Sequence, residues 1–171
     1  MTAGKTYTPI STTTLSSASP SITFSSIPGT YTDLKIVFSG RGTAADSLEL
    51  PTMRFNGDTG SNYSRTVMYG DGTTAYSARS SNKTSIELEY VSGGNAASGT
   101  FGLIIVDLLS YASTSVYKTS LVRTNEASAT VRAQVNLWRV ADAITSISIA
   151  PSFAANWAVG TSATLYGIAA A

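Results

Sequence analysis

Short apolar stretches recur about every ten residues along most of this chain, and many of them alternate with polar residues. Such alternation is the pattern of a β-strand with one buried face. No segment keeps the i, i+3, i+4, i+7 apolar spacing of an amphipathic helix over three turns. Strands are predicted within residues 22–24, 34–38, 48–55, 66–69, 86–90, 101–109, 116–123, 131–140, 144–149 and 163–168. About ten short strands at this spacing indicate an all-β fold, and we predict one antiparallel β-sandwich.

Three segments predict how particular strands are covered. Phe101 to Leu109 is almost entirely apolar, which indicates a central strand covered on both faces. Ile86 to Tyr90 alternates apolar with acidic residues, so one of its faces is expected to lie in water. Pro51 lies inside the 48–55 segment, and because proline lacks a backbone N–H, that strand is expected at a sheet edge or with a bulge.

The stretch from Phe55 to Ser64 is dense in turn-forming residues and lies between two predicted strands. Asn56-Gly57 is the strongest short hairpin signal, because a type I′ turn requires positive φ at both central residues. Gly70 and Gly72 flank Asp71 and predict a further loop downstream.

A length of 171 residues suits one domain with a sizeable core. The first segment, residues 1–19, is polar and threonine-rich, with a hint of extended structure at Tyr7 to Ile10. Such a segment buries little apolar surface by itself. We therefore predict an N-terminal arm over residues 1–19, either disordered or extended and ordered by a neighbour, and a β-sandwich domain over residues 20–171.

The low share of charged residues changes the picture of the surface. Only 12% of residues are charged, about half the usual share, and serine and threonine are unusually frequent. Charge depletion is typical of surfaces that lie against other proteins, because desolvating a charge is costly. The net charge is +1, and the lysines and arginines are scattered singly, so nucleic acid is not an expected partner. The longest apolar run, Leu103 to Val106, is too short to span a bilayer, so a membrane is not expected either.

The chain contains no cysteine and no histidine. Disulfides and cysteine metal sites are thereby excluded, and so is the side chain that most often serves as general base or transition-metal ligand. The N-terminal residues lack the apolar core of a signal peptide, so we expect synthesis in a cytoplasm without export. No cofactor is predicted.

Asp58-Thr59-Gly60 spells the triplet of aspartic proteases, in which two aspartates share a proton. Turn-forming residues precede and follow it, so turn chemistry accounts for the triplet. Asn56, Asp58, Ser61 and Asp71 also offer oxygen ligands for calcium, but their spacing matches no twelve-residue calcium loop. We predict turns here, without a catalytic residue and without a metal.

Two further groups of residues suggest chemistry. Glu87 and Glu89 are two residues apart on one predicted strand face, a spacing that a glycosidase would permit. Trp138, Trp157 and the nine tyrosines could form a platform on which sugars stack. The simpler interpretation is a solvated strand face for the acids and a core or interface position for the aromatics. No catalytic residue is predicted.

Several segments, taken in order, resemble a family of small structural proteins encoded by tailed bacteriophages, often those of marine and freshwater bacteria. The resemblance is carried by Ile22 to Leu34 (ITFSSIPGTYTDL), Arg54 to Tyr63 (RFNGDTGSNY), Asp107 to Tyr111 (DLLSY), Lys118-Thr119, Leu137 to Arg139 (LWR), Ala143 to Ile147 (AITSI) and Gly160 to Ile168. It covers most of the chain, and the order of the segments is its most specific feature.

The resemblance implies a jelly-roll-like β-sandwich that is part of the virion, either on the head surface or in tail and collar appendages. We expect a non-enzymatic capsid decoration, or cement, protein that bridges neighbouring subunits of the shell and forms a homo-oligomer, by analogy a homotrimer. Its partners are then the major capsid protein or other virion proteins, and its location is the virion, with the head favoured over the tail. The alternative is a tail or collar module that binds host-surface carbohydrate.

Overall fold

The computed structural model describes residues 6–126, 130–153 and 156–169, and within these ranges the protein consists of β-strands and loops without helix. The strands are β1 (Tyr7–Thr14), β2 (Ile22–Phe24), β3 (Asp33–Gly40), β4 (Leu48–Glu49), β5 (Pro51–Phe55), β6 (Tyr63–Gly70), β7 (Ala75–Lys83), β8 (Ile86–Glu87), β9 (Val91–Ser92), β10 (Gly102–Leu109), β11 (Lys118–Glu126), β12 (Thr130–Trp138), β13 (Ile147–Pro151) and β14 (Ser162–Ile168). The all-β antiparallel prediction is confirmed. The strands outnumber the ten expected because β1, β4, β7 and β9 carry little hydrophobic pattern.

Two sheets form the body of the protein. The larger has eight strands in the order β1-β14-β3-β10-β11-β12-β6-β7, and the smaller has four in the order β2-β13-β5-β8. All pairings within these two sheets are antiparallel. Strands β4 and β9 form a separate two-stranded ladder.

The strand order is that of a jelly roll with additions. In an eight-stranded jelly roll whose strands are lettered B to I, the two sheets have the orders B-I-D-G and C-H-E-F. Strands β2, β13, β5 and β8 reproduce the first order, and β3, β10, β6 and β7 reproduce the second. The hairpin β11–β12 is inserted between H and E, and β14 and β1 extend the larger sheet beyond C. The sandwich prediction is therefore confirmed at the level of topology.

The core lies between the two sheets. Alternate residues of β3, β10 and β14 point inward from the larger sheet and meet inward residues of β2, β5 and β13. Trp138 and Trp157 are among the largest buried side chains. Trp138 packs edge-on against Phe55 with 5.4 Å between the ring centroids, and Trp157 packs edge-on against Phe38 with 5.0 Å between the centroids. Both tryptophans are thus core residues, as the simpler interpretation predicted.

The N-terminal segment is extended, as predicted. Strand β1 pairs with β14 of the same chain, from Tyr7 opposite Ile168 to Thr14 opposite Ser162, with a bulge between Pro9 and Ser11. The larger sheet therefore gains an edge strand from residues predicted to belong to an arm. Residues 1–5 of that arm lie outside the described residues.

Two expectations about strand covering are wrong. Pro51 is the first residue of β5, which lies between β13 and β8 without a register shift. The first position of a strand tolerates proline, so neither an edge nor a bulge is needed. Strand β10 is central, but only one of its faces is buried; Leu103 and Ile105 are half-buried on the other, and Leu109 is exposed.

The predicted type I′ turn is present but has a different use. Asn56 has φ 51° and Gly57 has φ 68°, and the Asp58 N–H donates to the Phe55 carbonyl at 2.9 Å. The strands on either side, β5 and β6, belong to different sheets. The turn therefore carries the chain from one layer to the other and does not close a hairpin.

Candidate interaction surface

The side of the larger sheet that faces away from the smaller one is called the outer face here. The register of the central strands β10, β11, β12 and β6 aligns their outward residues across the sheet. One such row consists of Ile105, Arg123, Ala133 and Met68, each opposite the next. Large apolar side chains on this face are exposed: Met68 by 66%, Val131 by 66%, Leu121 by 54%, Val135 by 45% and Leu109 by 42%. These five residues are called the outer apolar patch below.

Strand β12 has the opposite polarity to an ordinary sandwich strand. Its outward residues are apolar: Val131, Ala133, Val135 and Leu137. Its inward residues Arg132, Gln134 and Asn136 are polar and buried. The hydrophobic contribution to stability depends on the apolar area that is removed from water. Apolar side chains that point toward water therefore contribute little to the stability of the free chain. The pattern makes the outer face the candidate interaction surface of the protein.

The outer face is large enough for a specific protein contact. Six strands, from β14 to β6, lie about 4.8 Å apart and run for about 24 Å, which gives a face of roughly 700 Å². A standard protein–protein interface buries about 800 Å² on each partner. The outer apolar patch occupies part of this face, and contiguous exposed apolar residues of this kind can mark interaction sites.

Few charges interrupt this face. Asp107 lies on β10 between Lys35 on β3 and Arg123 on β11, and it forms an ion pair with Lys35. The Arg123 Nη2 atom is 3.6 Å from Asp107 Oδ2, and the Arg123 side chain is 65% exposed. Two shallow grooves of about 420 Å³ each run beside Met68 and Arg123. Arg123 therefore keeps most of its hydrogen-bonding capacity for a partner.

The inward polar residues of β11 and β12 belong to a buried network. Gln134 Nε2 donates to the Glu87 carbonyl and to Asn136 Oδ1, both at 2.9 Å. Asn136 Nδ2 donates to Ser120 Oγ at 3.2 Å, and Thr124 Oγ1 donates to the Leu88 carbonyl at 2.7 Å. The segment from β8 to β9 therefore covers the inserted hairpin through hydrogen bonds, because buried polar groups must be satisfied.

The two acids considered for hydrolysis lie in this network. Glu87 forms an ion pair with Arg65, with 2.7 Å between Glu87 Oε2 and Arg65 Nη2. Glu89 forms ion pairs with both Arg65 and Arg132, and its Oε2 atom is 2.6 Å from Arg132 Nη1. Glu89 is 4% exposed and has φ 66°, so the predicted solvated strand face is wrong at this position. The alternation ends because β8 stops at Glu87. Glu87 therefore neutralises the half-buried Arg65, and Glu89 neutralises both Arg65 and the buried Arg132.

An aromatic column flanks the network at the β6–β7 end of the sheet. The rings of Tyr69 and Tyr76 stack with centroids 4.9 Å apart. The Arg132 guanidinium lies 4.1 Å from the Tyr69 centroid and 4.9 Å from that of Tyr90. Burial lowers the pKa of Arg132, although the neighbouring tyrosines oppose this effect. The column holds the beginning of β7, at Tyr76, against the rest of the protein.

The aspartate of the protease-like triplet organises the turn after β5. Asp58 Oδ1 accepts the Gly60 N–H at 2.7 Å, and Oδ2 accepts from Asn62 Nδ2 at 2.9 Å and from Trp138 Nε1 at 2.6 Å. Burial by itself raises the pKa of Asp58, but these three hydrogen bonds outweigh it and hold the pKa of this carboxyl below its usual range. The carboxylate is committed to the turn and to the indole, as the turn interpretation predicted.

The four oxygen donors considered for calcium are not brought together. The Asn56 side-chain Oδ1 atom accepts the Thr145 N–H at 2.8 Å, and Asp71 caps its own loop at the far end of β6 by accepting the N–H groups of Thr73 and Thr74. Among the residues that the structure describes, no three acidic side chains form a group that could hold a metal ion.

Four further arginines, Arg41, Arg54, Arg65 and Arg79, have different roles. Arg41 donates to the carbonyls of Gly94 and Ala96 at 2.9 and 2.7 Å, and to further oxygens of residues 97 and 100, so it holds the 93–100 loop. Arg54 donates to the Thr84 carbonyl, and Arg65 pairs with the acids above. Arg79, exposed on β7, forms no ion pair with any residue in the described ranges.

Sequence reasoning missed the outer apolar patch. The 131–140 segment predicts a strand, but the strand prediction alone does not say which of its two sets of alternating residues, the apolar or the polar one, faces inward. The signal lay in that comparison: arginine, glutamine and asparagine alternate with valine, alanine and valine, and the following Trp138 belongs to the core. The tryptophan fixes the inward set, so the valines must face outward.

Comparison of the chain with models of known protein families, with curated proteins and with solved structures finds no match in any of the three. Over the described residues, no helix has the length and hydropathy of a membrane span. The protein is an all-β antiparallel sandwich with jelly-roll topology.

Proposed function

We propose that this protein is a non-enzymatic structural component of a bacteriophage virion, most specifically a decoration protein of the head. The observation that carries the proposal is the reversed polarity of β12, which places Val131 and Val135 on the outer face while Arg132 and Gln134 are buried. The protein binds the shell through the outer face and removes that apolar area from water.

The ordered motifs described above supply the link to the virion, and the outer face supplies a means of attachment. A rigid sheet of six strands can lie across the boundary between two shell subunits and add contact area to both. The energetic contribution comes chiefly from the outer apolar patch, with Arg123 opposite an acidic group of the shell. Added contact across boundaries would resist outward pressure from packaged DNA.

Burial of the tryptophans weighs against carbohydrate binding. That alternative requires exposed, coplanar aromatic rings, and Trp138 and Trp157 are both core residues, whereas Tyr7, Tyr76 and Tyr117 are exposed. The carboxylates that suggested hydrolysis also have structural partners: Asp58 accepts a hydrogen bond from Trp138, and Glu89 forms an ion pair with Arg132. Attachment through a flat apolar face is the function that the geometry supports best.

The test uses purified particles of the phage that encodes the chain. Particles produced without the protein are mixed with purified protein, and the bound copies per particle are counted by quantitative mass spectrometry. Wild-type protein should bind in hundreds of copies if it decorates the head; about a dozen copies would indicate the tail or collar. The variant Leu121→Asp/Val135→Asp should lose binding, because it places charges in the centre of the outer apolar patch.

A matched control separates attachment from folding. Thr23 is exposed on β2 of the smaller sheet, away from the outer face, so Thr23→Asp should fold and bind as wild type does. Binding of the double variant at wild-type occupancy would reject attachment through the outer face, and failure of the wild-type protein to bind any particle would reject the virion role.

A further inference from the structure

The two sheets have four edges, and three of them are protected against pairing with another chain. Strands β2 and β8, the edges of the smaller sheet, have three and two residues. Strand β1, one edge of the larger sheet, contains Pro9 and a bulge. Short length, proline and bulges are the usual means by which natural sheets prevent edge-to-edge association.

The fourth edge, β7, lacks these protections over most of its length. It runs for nine residues, and from Ala75 to Ser80 it pairs with β6 without proline and without a register shift. Nearly all its side chains are exposed, so only the ladder to β6 and the tyrosine column hold it in place. Its other edge presents backbone N–H and C=O groups available for a further strand.

We propose that β7 pairs with β7 of a second copy of this chain, antiparallel across a twofold axis centred on Ala78. This contact is independent of the virion role proposed above, and it gives a twofold dimer in place of the homotrimer that the resemblance implies. It joins the larger sheets of two copies into one continuous sheet, with both outer faces on the same side. The result is a double-width attachment surface of roughly 1,400 Å².

Symmetry and side-chain size select this register. A twofold axis perpendicular to the sheet places residues of the same face opposite each other, so the axis must pass through a residue position. Centred on Ala78, the pairing sets Ser77 opposite Arg79 and Tyr76 opposite Ser80, so each large side chain faces a small one. Seven residues, 75–81, then pair, all within β7.

Neighbouring registers are less favourable. Centring on Arg79 sets that arginine opposite its own copy, and like charges directly opposite each other destabilise a pair. It also draws in Asn82, whose φ of 56° interrupts the strand. Centring on Ser77 pairs only residues 75–79 within the strand. A head-to-tail contact between β7 and β1 is opposed by Pro9, which cannot donate a backbone hydrogen bond.

The experiment uses purified protein in solution. Sedimentation equilibrium over a concentration series should give a monomer–dimer equilibrium for wild type. Ala78→Lys places two ammonium groups opposite each other on an exposed edge, and should raise the dissociation constant about fivefold or more. Ser11→Lys, on the exposed part of β1, is the matched control and should leave the constant unchanged.

Cross-linking tests the register, and the absence of native cysteine makes single-cysteine variants clean reporters. In the proposed pairing the two Cβ atoms of Ala78→Cys lie about 5 Å apart, so mild oxidation should yield a covalent dimer. Ser81→Cys, on the same strand, places its two sulfurs about 20 Å apart and should remain monomeric.

Every outcome is informative. A wild-type protein that stays monomeric at all concentrations, or that forms trimers, overturns the proposal. So does a dimer that Ala78→Lys leaves intact, or equal cross-linking at positions 78 and 81. A dimer lost in Leu121→Asp/Val135→Asp but kept in Ala78→Lys would assign self-association to the outer face and overturn it too. Because these measurements need no particle, they succeed or fail independently of the virion role.

Discussion

Replacing Asp58 by alanine tests whether this aspartate is a structural residue of the β5–β6 turn. The substitution removes three hydrogen bonds to a charged acceptor and leaves the buried Trp138 Nε1 atom without a partner. Hydrogen bonds to charged groups contribute about 1.5–3 kcal/mol each when measured singly. Asp58 is only half-buried and water replaces part of the loss, so we expect about 2–3 kcal/mol in total.

For a domain of this size, that loss lowers the melting temperature by about 4–12 °C. Calorimetry or thermal circular dichroism measures it directly. Asp71→Ala is the control, because Asp71 is exposed and caps its loop through two backbone hydrogen bonds. Its melting temperature should change much less.

The dependence on pH gives a second readout. The folded-state pKa of Asp58 is lowered, so its stabilisation is fully present above the unfolded-state pKa of about 3.9 and is lost as the pH falls through the folded-state value. The difference in melting temperature between wild type and Asp58→Asn should therefore shrink as the pH is lowered from about 5 to 3. A variant that melts with wild type at pH 7, or a difference that grows in acid, would refute the reasoning.

Three further predictions concern stability, each measured by urea denaturation. Glu89→Gln should destabilise by about 3 kcal/mol, because it leaves two arginines short of a buried counter-charge, whereas Glu87→Gln, at a more exposed position, should cost less; equal losses would contradict the burial difference. Arg41→Ala should destabilise by about 1–3 kcal/mol, because the carbonyls of the 93–100 loop lose their donor, and an unchanged denaturation midpoint would argue against this role. Val135→Thr should change stability by no more than about 0.5 kcal/mol, since the side chain is exposed, and a larger loss would mean that this residue is buried in the free chain.

Strand positions with a buried face could be predicted from the sequence. The buried positions of β3, β13 and β14 are occupied by apolar residues or glycine, because inward positions must be apolar to form the core. Strand β7 could not be found this way. Its residues are exposed on both sides, so its conformation depends on pairing with β6 and leaves no hydrophobic period in the sequence.

Local chemistry was easier to predict than its long-range context. The Asn56-Gly57 turn follows from positive φ preferences alone, but the sheet to which each flanking strand belongs is decided by the whole topology. Similarly, Glu87 and Glu89 were recognised as a pair, yet their partners Arg65 and Arg132 are more than 20 residues away in sequence. A single sequence does not contain those distances.

The central claim is that a partner in the assembled particle covers the outer face. It is tested most directly by thiol labelling of Val135→Cys, in free protein and on purified particles, with Thr23→Cys as the exposed reference. The account predicts rapid labelling of residue 135 in free protein and at least tenfold slower labelling on particles, with residue 23 labelled equally in both. Equal labelling of residue 135 in the two states would contradict it.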